Sequence, residues 1–193
     1  MKIKILKKQV FIVLILFLIT YCFETYANKI GSVTGYPIPR FVSLKSNDVN
    51  LRVGPSLNYP IEIKYTYQNF PVEIIDEYDV WRKSRDVYGN IGWIHKSLLK
   101  GDRYGVILSG NSLNGNIFNY PDGNKRGSIG TNNLVEINRC IESWCLIKFD
   151  NNKGWINKKN IWGVYKSEIY KNNYFQPLIN LYWKILSYNW LGR

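Results

Sequence analysis

The feature of the sequence that most constrains its fold is an internal repeat of about 60 residues. Four landmarks of the first half return in the second half: an apolar segment, a tryptophan, a Gly-Trp pair and a later glycine. They begin at Phe70, Trp81, Gly92 and Gly101, and they return at Asn133, Trp144, Gly154 and Gly163, at separations of 63, 63, 62 and 62 residues. The differences in length fall near predicted turns, and loops tolerate such changes. The chain of 193 residues therefore contains two small modules side by side.

Each copy consists of short runs of β-branched and aromatic residues that are separated by Gly, Pro and Asn. We predict strands at residues 41–45, 49–53, 61–67, 72–78, 80–85, 91–95 and 104–108. Many short strands with tight turns are typical of all-β barrels and sandwiches. The sequence thus predicts an all-β protein with one module over residues 41–108 and a second over residues 109–165.

Two cysteines of the second copy, Cys140 and Cys145, flank a predicted turn. If residues 142–143 form a two-residue turn, the cysteines lie opposite each other on neighbouring strands, at a Cα separation of roughly 4.5–5.5 Å that permits a disulfide. The same register in the first copy places Glu77 opposite Arg82, so we expect an ion pair there. Two buried free thiols are the alternative, and export to an oxidising compartment favours the disulfide.

The first 27 residues have the pattern of a secretory signal peptide. Four lysines precede an apolar run at residues 10–19, and Thr25 and Ala27 supply the small residues of a cleavage site. The apolar run is short for a transmembrane span, although residues 21–23 lengthen it and leave an uncleaved anchor as the alternative. Export to the periplasm is expected, and an anchor would add membrane association. Residues 28–40, rich in Gly and Pro, are predicted to form an extended linker arm.

The chain is strongly basic, with a formal net charge of +12. Removal of the predicted signal peptide takes away four lysines and one glutamate and leaves about +9. Such a charge in the cytosol would indicate nucleic acid as the partner. Export argues against nucleic acid and favours an anionic cell-wall polymer or membrane surface.

The opening and closing segments of the first copy resemble bacterial SH3-like domains. Residues 49–60, VNLRVGPSLNYP, are similar to the family's opening Asn-x-Arg-x-Gly-Pro-Ser motif, and the spacing from Trp81 to Gly92-Trp93 matches its closing half. The resemblance covers residues 40–165 and is weaker in the second copy, where Phe118 and Tyr120 replace the Arg and Gly of the motif. It implies an exported protein with two tandem SH3-like barrels that is not an enzyme and that binds cell-wall peptide or peptidoglycan.

Aromatic and basic side chains of the first copy are the candidates for ligand contact. SH3-like barrels present aromatic grooves to extended peptides, whereas most aromatic residues of so small a barrel fill its core. The candidate ligand-binding residues are Trp81, Trp93, His95, Tyr59, Arg82 and Arg85.

His95 is the only histidine of the chain, and it aligns with Asn157. Both side chains can hydrogen-bond the turn that follows, which favours a structural role for His95. A single histidine excludes a two-histidine metal motif, and paired cysteines leave no Cys-His nucleophile. We therefore predict no catalytic residues, no metal and no cofactor.

The last segment, residues 166–193, differs from both copies. A narrow polar stripe of Gln176, Asn180, Lys184 and Ser187 runs through an otherwise mostly apolar sequence, which predicts a C-terminal amphipathic helix. At about 15 residues the helix is too short to cross a membrane. Residues 176–191 are expected to pack against the barrels, to contact a protein partner or to lie on a membrane surface. The alternative to a wall-binding protein is thus a structural or assembly partner that docks a membrane complex through this helix.

Overall fold

The computed structural model describes residues 29–108, 115–171, 175, 178–179, 181–183 and 185. The described residues fold into two seven-stranded antiparallel sheets and one short hairpin. This confirms the two tandem all-β modules predicted from the repeat. The predicted signal peptide and most of the predicted C-terminal helix lie outside the described residues. None of the helices in the described part of the chain is long and apolar enough to cross a membrane.

The first sheet follows a two-stranded hairpin of β1 (Lys29–Ile30) and β2 (Pro37–Ile38). Its strands are β3 (Arg40–Leu44), β4 (Val49–Arg52), β5 (Ile61–Tyr65), β6 (Pro71–Tyr78), β7 (Trp81–Arg85), β8 (Ile91–His95) and β9 (Leu99–Lys100). They are hydrogen-bonded in the order β5-β4-β8-β7-β6-β3-β9. A single 3-10 turn, Lys96–Leu98, joins β8 to β9.

The second sheet repeats the first, strand for strand. Its strands are β10 (Tyr104–Ile107), β11 (Asn116–Phe118), β12 (Lys125–Ser128), β13 (Leu134–Cys140), β14 (Trp144–Phe149), β15 (Asn152–Asn157) and β16 (Ile161–Trp162). Their order is β12-β11-β15-β14-β13-β10-β16, and a 3-10 turn, Lys158–Asn160, joins β15 to β16. Each strand occupies the place of the strand numbered seven lower in the first sheet.

Strand β10 corrects the boundary between the modules. Residues 104–108 were predicted to end the first module, but β10 pairs with β13 and β16 of the second sheet. The two sheets therefore divide between Lys100 and Tyr104. The side chains of β10 serve both cores, because successive residues of a strand face opposite sides. Val106 packs into the first core and Ile107 into the second.

Two apolar cores lie against these sheets. The first contains Leu44, Val49, Leu51, Tyr65, Phe70, Val72, Ile94 and Val106. The second contains Ile107, Ile117, Val135, Ile137, Cys140, Cys145, Ile147, Ile156 and Ile161. Burial of each aliphatic side chain of this kind contributes about 1.5–3 kcal/mol, so the cores are the main source of stability.

Direct contacts also join the two modules. The Phe41 ring lies 4.9 Å from the Trp162 ring and 4.8 Å from the Tyr165 ring, measured between centroids. The Tyr165 hydroxyl donates a hydrogen bond of 2.8 Å to Glu73 Oε1. Leu134 of the second sheet packs against the first core. The modules are thus packed on each other and not merely linked.

The N-terminal arm is a folded hairpin and not the extended linker that the sequence analysis predicted. Its turn contains Gly35, whose φ of +69° favours glycine, and its backbone binds a carboxylate of the first sheet. Glu77 Oε2 accepts hydrogen bonds from the backbone N–H groups of Val33 (3.1 Å) and Thr34 (2.9 Å). The Gly and Pro content of the arm therefore marks a tight turn that a tertiary contact holds in place.

Candidate ligand-binding groove

A surface groove of about 530 Å³ lies between the loop after β4 and the start of β7. Its lining residues are Pro55, Ser56, Leu57, Val80, Trp81, His95, Ser97 and Leu98. The walls are aromatic and aliphatic, two serines and one imidazole supply polar groups, and none of the lining side chains carries a fixed charge. Apolar walls with a few polar groups suit an extended peptide segment. We call this cavity the groove.

Two of the candidate residues, Trp81 and His95, meet in the groove. They are directly opposed on β7 and β8, so their side chains lie on the same face of the sheet. Their ring centroids are 5.4 Å apart and the rings are nearly perpendicular, at 82°. Trp81 is only 6% exposed, which means that most of the indole packs into the protein and its edge alone reaches the groove.

His95 also ends its strand in the way that the alignment with Asn157 predicts. Its Nδ1 accepts a hydrogen bond of 3.3 Å from the backbone N–H of Ser97 and lies 2.7 Å from Ser97 Oγ. Asn157 Oδ1 accepts the equivalent bond from the backbone N–H of Lys159 at 3.1 Å. Because Nδ1 is an acceptor, the neutral imidazole carries its proton on Nε2. That N–H is the polar group of His95 left to meet a ligand.

The opening motif of the first copy shapes the other wall of the groove. Arg52 Nη1 donates to the backbone carbonyls of Leu57 (3.2 Å) and Tyr59 (2.7 Å) and so fixes the loop. Gly54 is required because an added Cβ would come within 2.6 Å of the Tyr59 ring. The loop then holds Leu57, 73% exposed, beside the groove. Pro55 and Leu57 were not predicted as site residues from the sequence, and the signal that could have found them is their apolar character inside the loop motif.

The remaining candidates lie outside the groove. Tyr59 packs over Gly54. Trp93 is on the same face of the sheet as Trp81 and His95. Its cross-strand neighbours are Arg52 and Lys83, and the Lys83 Nζ lies 6.0 Å from the centroid of the Trp93 ring.

Both candidate arginines serve ion pairs. Arg85 Nε donates to Glu73 Oε2 at 2.9 Å. Arg82 lies on the opposite face of β7 from Trp81, is 5% exposed, and its Nε is 3.6 Å from Glu77 Oε1. Neither guanidinium lines the groove, so the structure brings together Trp81 and His95 only.

Glu77 is the centre of the polar contacts of the first module. Its Oε1 also accepts hydrogen bonds of 2.7 Å from Thr34 Oγ1 and from Arg40 Nη2. Burial by itself would raise the pKa of Glu77, but the hydrogen bonds from Thr34, Arg40 and the backbone outweigh it and lower the pKa to about 2. Glu77 is therefore ionised at neutral pH, where its carboxylate anchors the N-terminal hairpin.

The second module has a different surface at the equivalent place. Trp144 and Trp155 correspond to Trp81 and Trp93, but apolar neighbours surround them. We call this surface the aromatic face, and it consists of Phe118, Tyr120, Ile141, Trp144, Leu146 and Trp155. Its Phe118 and Trp144 rings meet edge to face at 5.2 Å. The departure from the motif at Phe118 and Tyr120 thus accompanies a change from a groove with polar groups to an apolar cluster.

The predicted disulfide is present. Cys140 and Cys145 are opposed residues of β13 and β14, with Cα atoms 4.1 Å apart. A disulfide in a small module indicates an oxidising, extracytoplasmic compartment. Among the described residues, no cluster of His, Cys, Asp and Glu could hold a metal ion.

Each module, with its single antiparallel sheet, 3-10 turn before the last strand and enclosed core, is a small SH3-like barrel. The family of the barrels follows from comparison with known proteins, in which the bacterial SH3 domain model matches residues 45–101 and 131–163. The chain therefore carries bacterial SH3 domains in tandem. No curated protein matches the sequence.

Solved structures with a detectable similarity are larger proteins. NlpC1 and NlpC2 from Trichomonas vaginalis are each 17% identical, over 68% and 71% of this chain and 48% and 52% of theirs, with TM-scores of 0.31 and 0.30. An NlpC/P60 family protein from Bacillus cereus is 12% identical over 72% of this chain and 61% of its own, with a TM-score of 0.29. This chain thus spans about half the length of the first two. TM-scores this low define no common arrangement of the chains.

Proposed function

We propose that this protein is a non-catalytic, periplasmic binding protein whose first SH3 domain holds an extended cell-wall peptide in the groove. The observation that carries the proposal is the groove itself, where Trp81 and Leu57 supply apolar contact and His95 supplies a hydrogen-bond donor. The bacterial SH3 match and the disulfide support a setting outside the cytoplasm.

The contacts follow from the chemistry of the lining residues. An apolar side chain of the peptide packs between Leu57 and the edge of Trp81, and burial of an apolar group of that size contributes about 1–2 kcal/mol. The His95 Nε2–H donates to a peptide carbonyl. Peptide carboxylates are drawn to the protein by its net positive charge, and salt weakens this attraction by screening.

Absence of catalysis belongs to the same proposal. His95 Nδ1 is bonded to Ser97, and the described residues give the imidazole no carboxylate hydrogen-bond partner. A Ser-His dyad without an orienting acid, in a groove without charged side chains, lacks the groups that activate a nucleophile. We expect purified protein to release no soluble fragments from wall sacculi, and release that His95→Ala abolishes would contradict this part.

The test of binding is sedimentation of the purified protein with cell-wall sacculi at low salt. Leu57→Ala should lower the bound fraction by about fivefold, as loss of roughly 1 kcal/mol of apolar contact requires. Tyr67→Ala is the matched control, because Tyr67 is 69% exposed in the same module and lies outside the groove. Wild-type protein that fails to sediment, or equal losses in both variants, would overturn the proposal.

A second variant tests the loop that shapes the groove. Arg52→Ala removes two hydrogen bonds that hold the carbonyls of Leu57 and Tyr59. We expect weaker sedimentation together with faster proteolysis within residues 53–60. Lys64→Ala, which removes an exposed ion pair with Asp48 in the same sheet, should change neither.

A second candidate function rests on the C-terminal segment, which would dock the protein to a membrane complex. Leu178, Leu181, Tyr182 and Ile185 are each more than half exposed and recur at the spacing of one helix face. Deletion of residues 174–193 distinguishes the two functions. A wall-binding protein keeps its affinity for sacculi after the deletion, whereas a docking protein loses its complex in a periplasmic pull-down.

A further inference from the structure

The two SH3 domains differ most on the face that carries the groove in the first. The sheets align through their registers: Trp93 and Trp155 lie opposite Lys83 and Leu146, respectively. The positions that differ in character are Arg52, Gly54, Tyr78 and Lys83 in the first domain and Phe118, Tyr120, Ile141 and Leu146 in the second. Two charges are lost and the net gain is one ring and two aliphatic side chains, which converts a solvated surface into an apolar one that must be covered.

Burial shows that the aromatic face is covered. Trp155 is only 8% exposed, although it lies on the face of β15 opposite the core residue Ile156, and Ile141 is 7% exposed. Trp93, the counterpart of Trp155 in the first domain, is only half-buried. The neighbouring loop supplies part of the cover through Tyr120, whose ring lies directly against Gly123.

The C-terminal segment contacts the aromatic face at Tyr120. Trp183 stacks on Tyr120, with ring centroids 4.9 Å apart and planes at 8°. Ile179 and Trp183 are four residues apart and half-buried, so they share the side of the segment that faces the barrel. The residues around them, Leu178, Leu181, Tyr182 and Ile185, are exposed.

We infer that the aromatic face of the second SH3 domain is a docking site for the chain's own C-terminal segment, held through Ile179 and Trp183. The equivalent faces of the two domains thus have different roles. In the first domain this face forms an open groove, and in the second it binds the C-terminal segment. Docking turns the apolar residues at 178, 181, 182 and 185 away from the barrel. The inference is independent of what the groove binds.

The experiment uses the full-length exported protein without ligand and measures the rate of tryptic cleavage after Lys184. Trp183→Ala should raise this rate about tenfold, since the substitution removes the stacked aromatic pair and the apolar area that it buries. Tyr120→Ala should raise it to the same extent, and the double variant should go no further, because both changes remove one contact. Leu181→Ala is the matched control and should leave the rate unchanged, since Leu181 is 53% exposed.

General unfolding is separated from release of the segment by the thermal midpoint of the barrels. Faster cleavage in Trp183→Ala and Tyr120→Ala at an unchanged midpoint supports the inference. Equal cleavage in wild type, Trp183→Ala and Leu181→Ala overturns it, and so do additive effects of Tyr120→Ala and Trp183→Ala. A sedimentation result with sacculi bears on the groove alone, so failure of one proposal is distinguishable from failure of the other.

Discussion

Glu77 lies directly opposite Arg82 across the β6–β7 turn, in the place that the Cys140–Cys145 disulfide occupies in the second domain. The Arg82 Nε is 3.6 Å from Glu77 Oε1. Both pairs hold a further segment: Glu77 binds the N-terminal hairpin, and the backbone of Cys140 pairs with that of Tyr170. The same structural position thus binds a flanking segment in each domain, through the carboxylate of Glu77 in the first and through backbone hydrogen bonds of Cys140 in the second.

Replacement of the carboxylate should destabilise the first domain. Glu77→Gln leaves the buried guanidinium of Arg82 and the partly buried guanidinium of Arg40 without their anion, and we expect a loss of about 2–3 kcal/mol in the free energy of unfolding. Urea denaturation measures it. Glu62→Gln, on the exposed part of β5, is the control and should change the free energy by less than about 0.5 kcal/mol. Equal stability of wild type and Glu77→Gln would show that the hydrogen bonds to Glu77 carry no net energy.

Acid should remove the same contribution. The pKa of Glu77 is lowered to about 2 from an ordinary value of 4.5, so the stabilisation it provides is fully present above pH 4.5 and is lost as the pH falls towards 2. We expect the free energy of unfolding of wild type to fall more steeply over this range than that of Glu77→Gln. Asp76, whose pKa is also lowered through its hydrogen bond with the backbone of Glu77, is present in both proteins and cancels in the comparison. Parallel pH profiles of the two proteins would contradict the assignment.

Reduction should weaken the second domain. The Cys140–Cys145 loop is short, and the chain-entropy model gives a contribution of about 2 kcal/mol. We expect dithiothreitol to lower the thermal midpoint of wild type and to leave that of the Cys140→Ser/Cys145→Ser double variant unchanged. Mass spectrometry of the exported protein under non-reducing conditions should find no free thiol at either position.

The contribution of the domain contact to stability can be tested at the Tyr165 hydroxyl. Burial raises the pKa of Tyr165, and its hydrogen bond to Glu73 raises it further, so the phenol stays protonated and donates. Tyr165→Phe removes that bond while Arg85 remains paired with Glu73 Oε2, and we expect a loss of about 1 kcal/mol, measured by urea denaturation. Tyr88→Phe, at an exposed tyrosine, is the control. A larger effect in the control would remove Tyr165 as the linking residue.

The repeat in the sequence was sufficient to predict the two SH3-like barrels and several pairings within them. The pairs Glu77–Arg82 and Cys140–Cys145 and the shared capping role of His95 and Asn157 are confirmed, because each follows from placing one copy on the other. The strand boundaries agree to within about two residues, the usual uncertainty of strand ends.

Two features of the fold could not be predicted from local pattern. The strands of the N-terminal hairpin have two residues each, and hydrogen bonds to Glu77, more than 40 residues further along, hold the turn between them. Strand β10 has apolar side chains on both faces, so alternation does not say which sheet it joins.

The candidate site was predicted in part. Of the candidate ligand-binding residues, Trp81 and His95 lie together in the groove, whereas Arg82 and Arg85 serve ion pairs within the sheet. The pairing of Arg82 with Glu77 follows from the repeat, but the pairing of Arg85 with Glu73 depends on a register shift in β6 that the sequence does not show. The contribution of Leu57 depends on a loop conformation that Arg52 fixes, which only the folded chain reveals.

The sharing of β10 between the cores has a consequence for how such a protein can evolve. Val106 fills the first core and Ile107 the second, so a cut between the domains strips the first of a buried valine and of the Leu134 side chain that covers it. The first domain therefore depends on the second for a complete core. Recombination that transferred the first domain alone would leave its core incomplete, so it must be inherited together with the second.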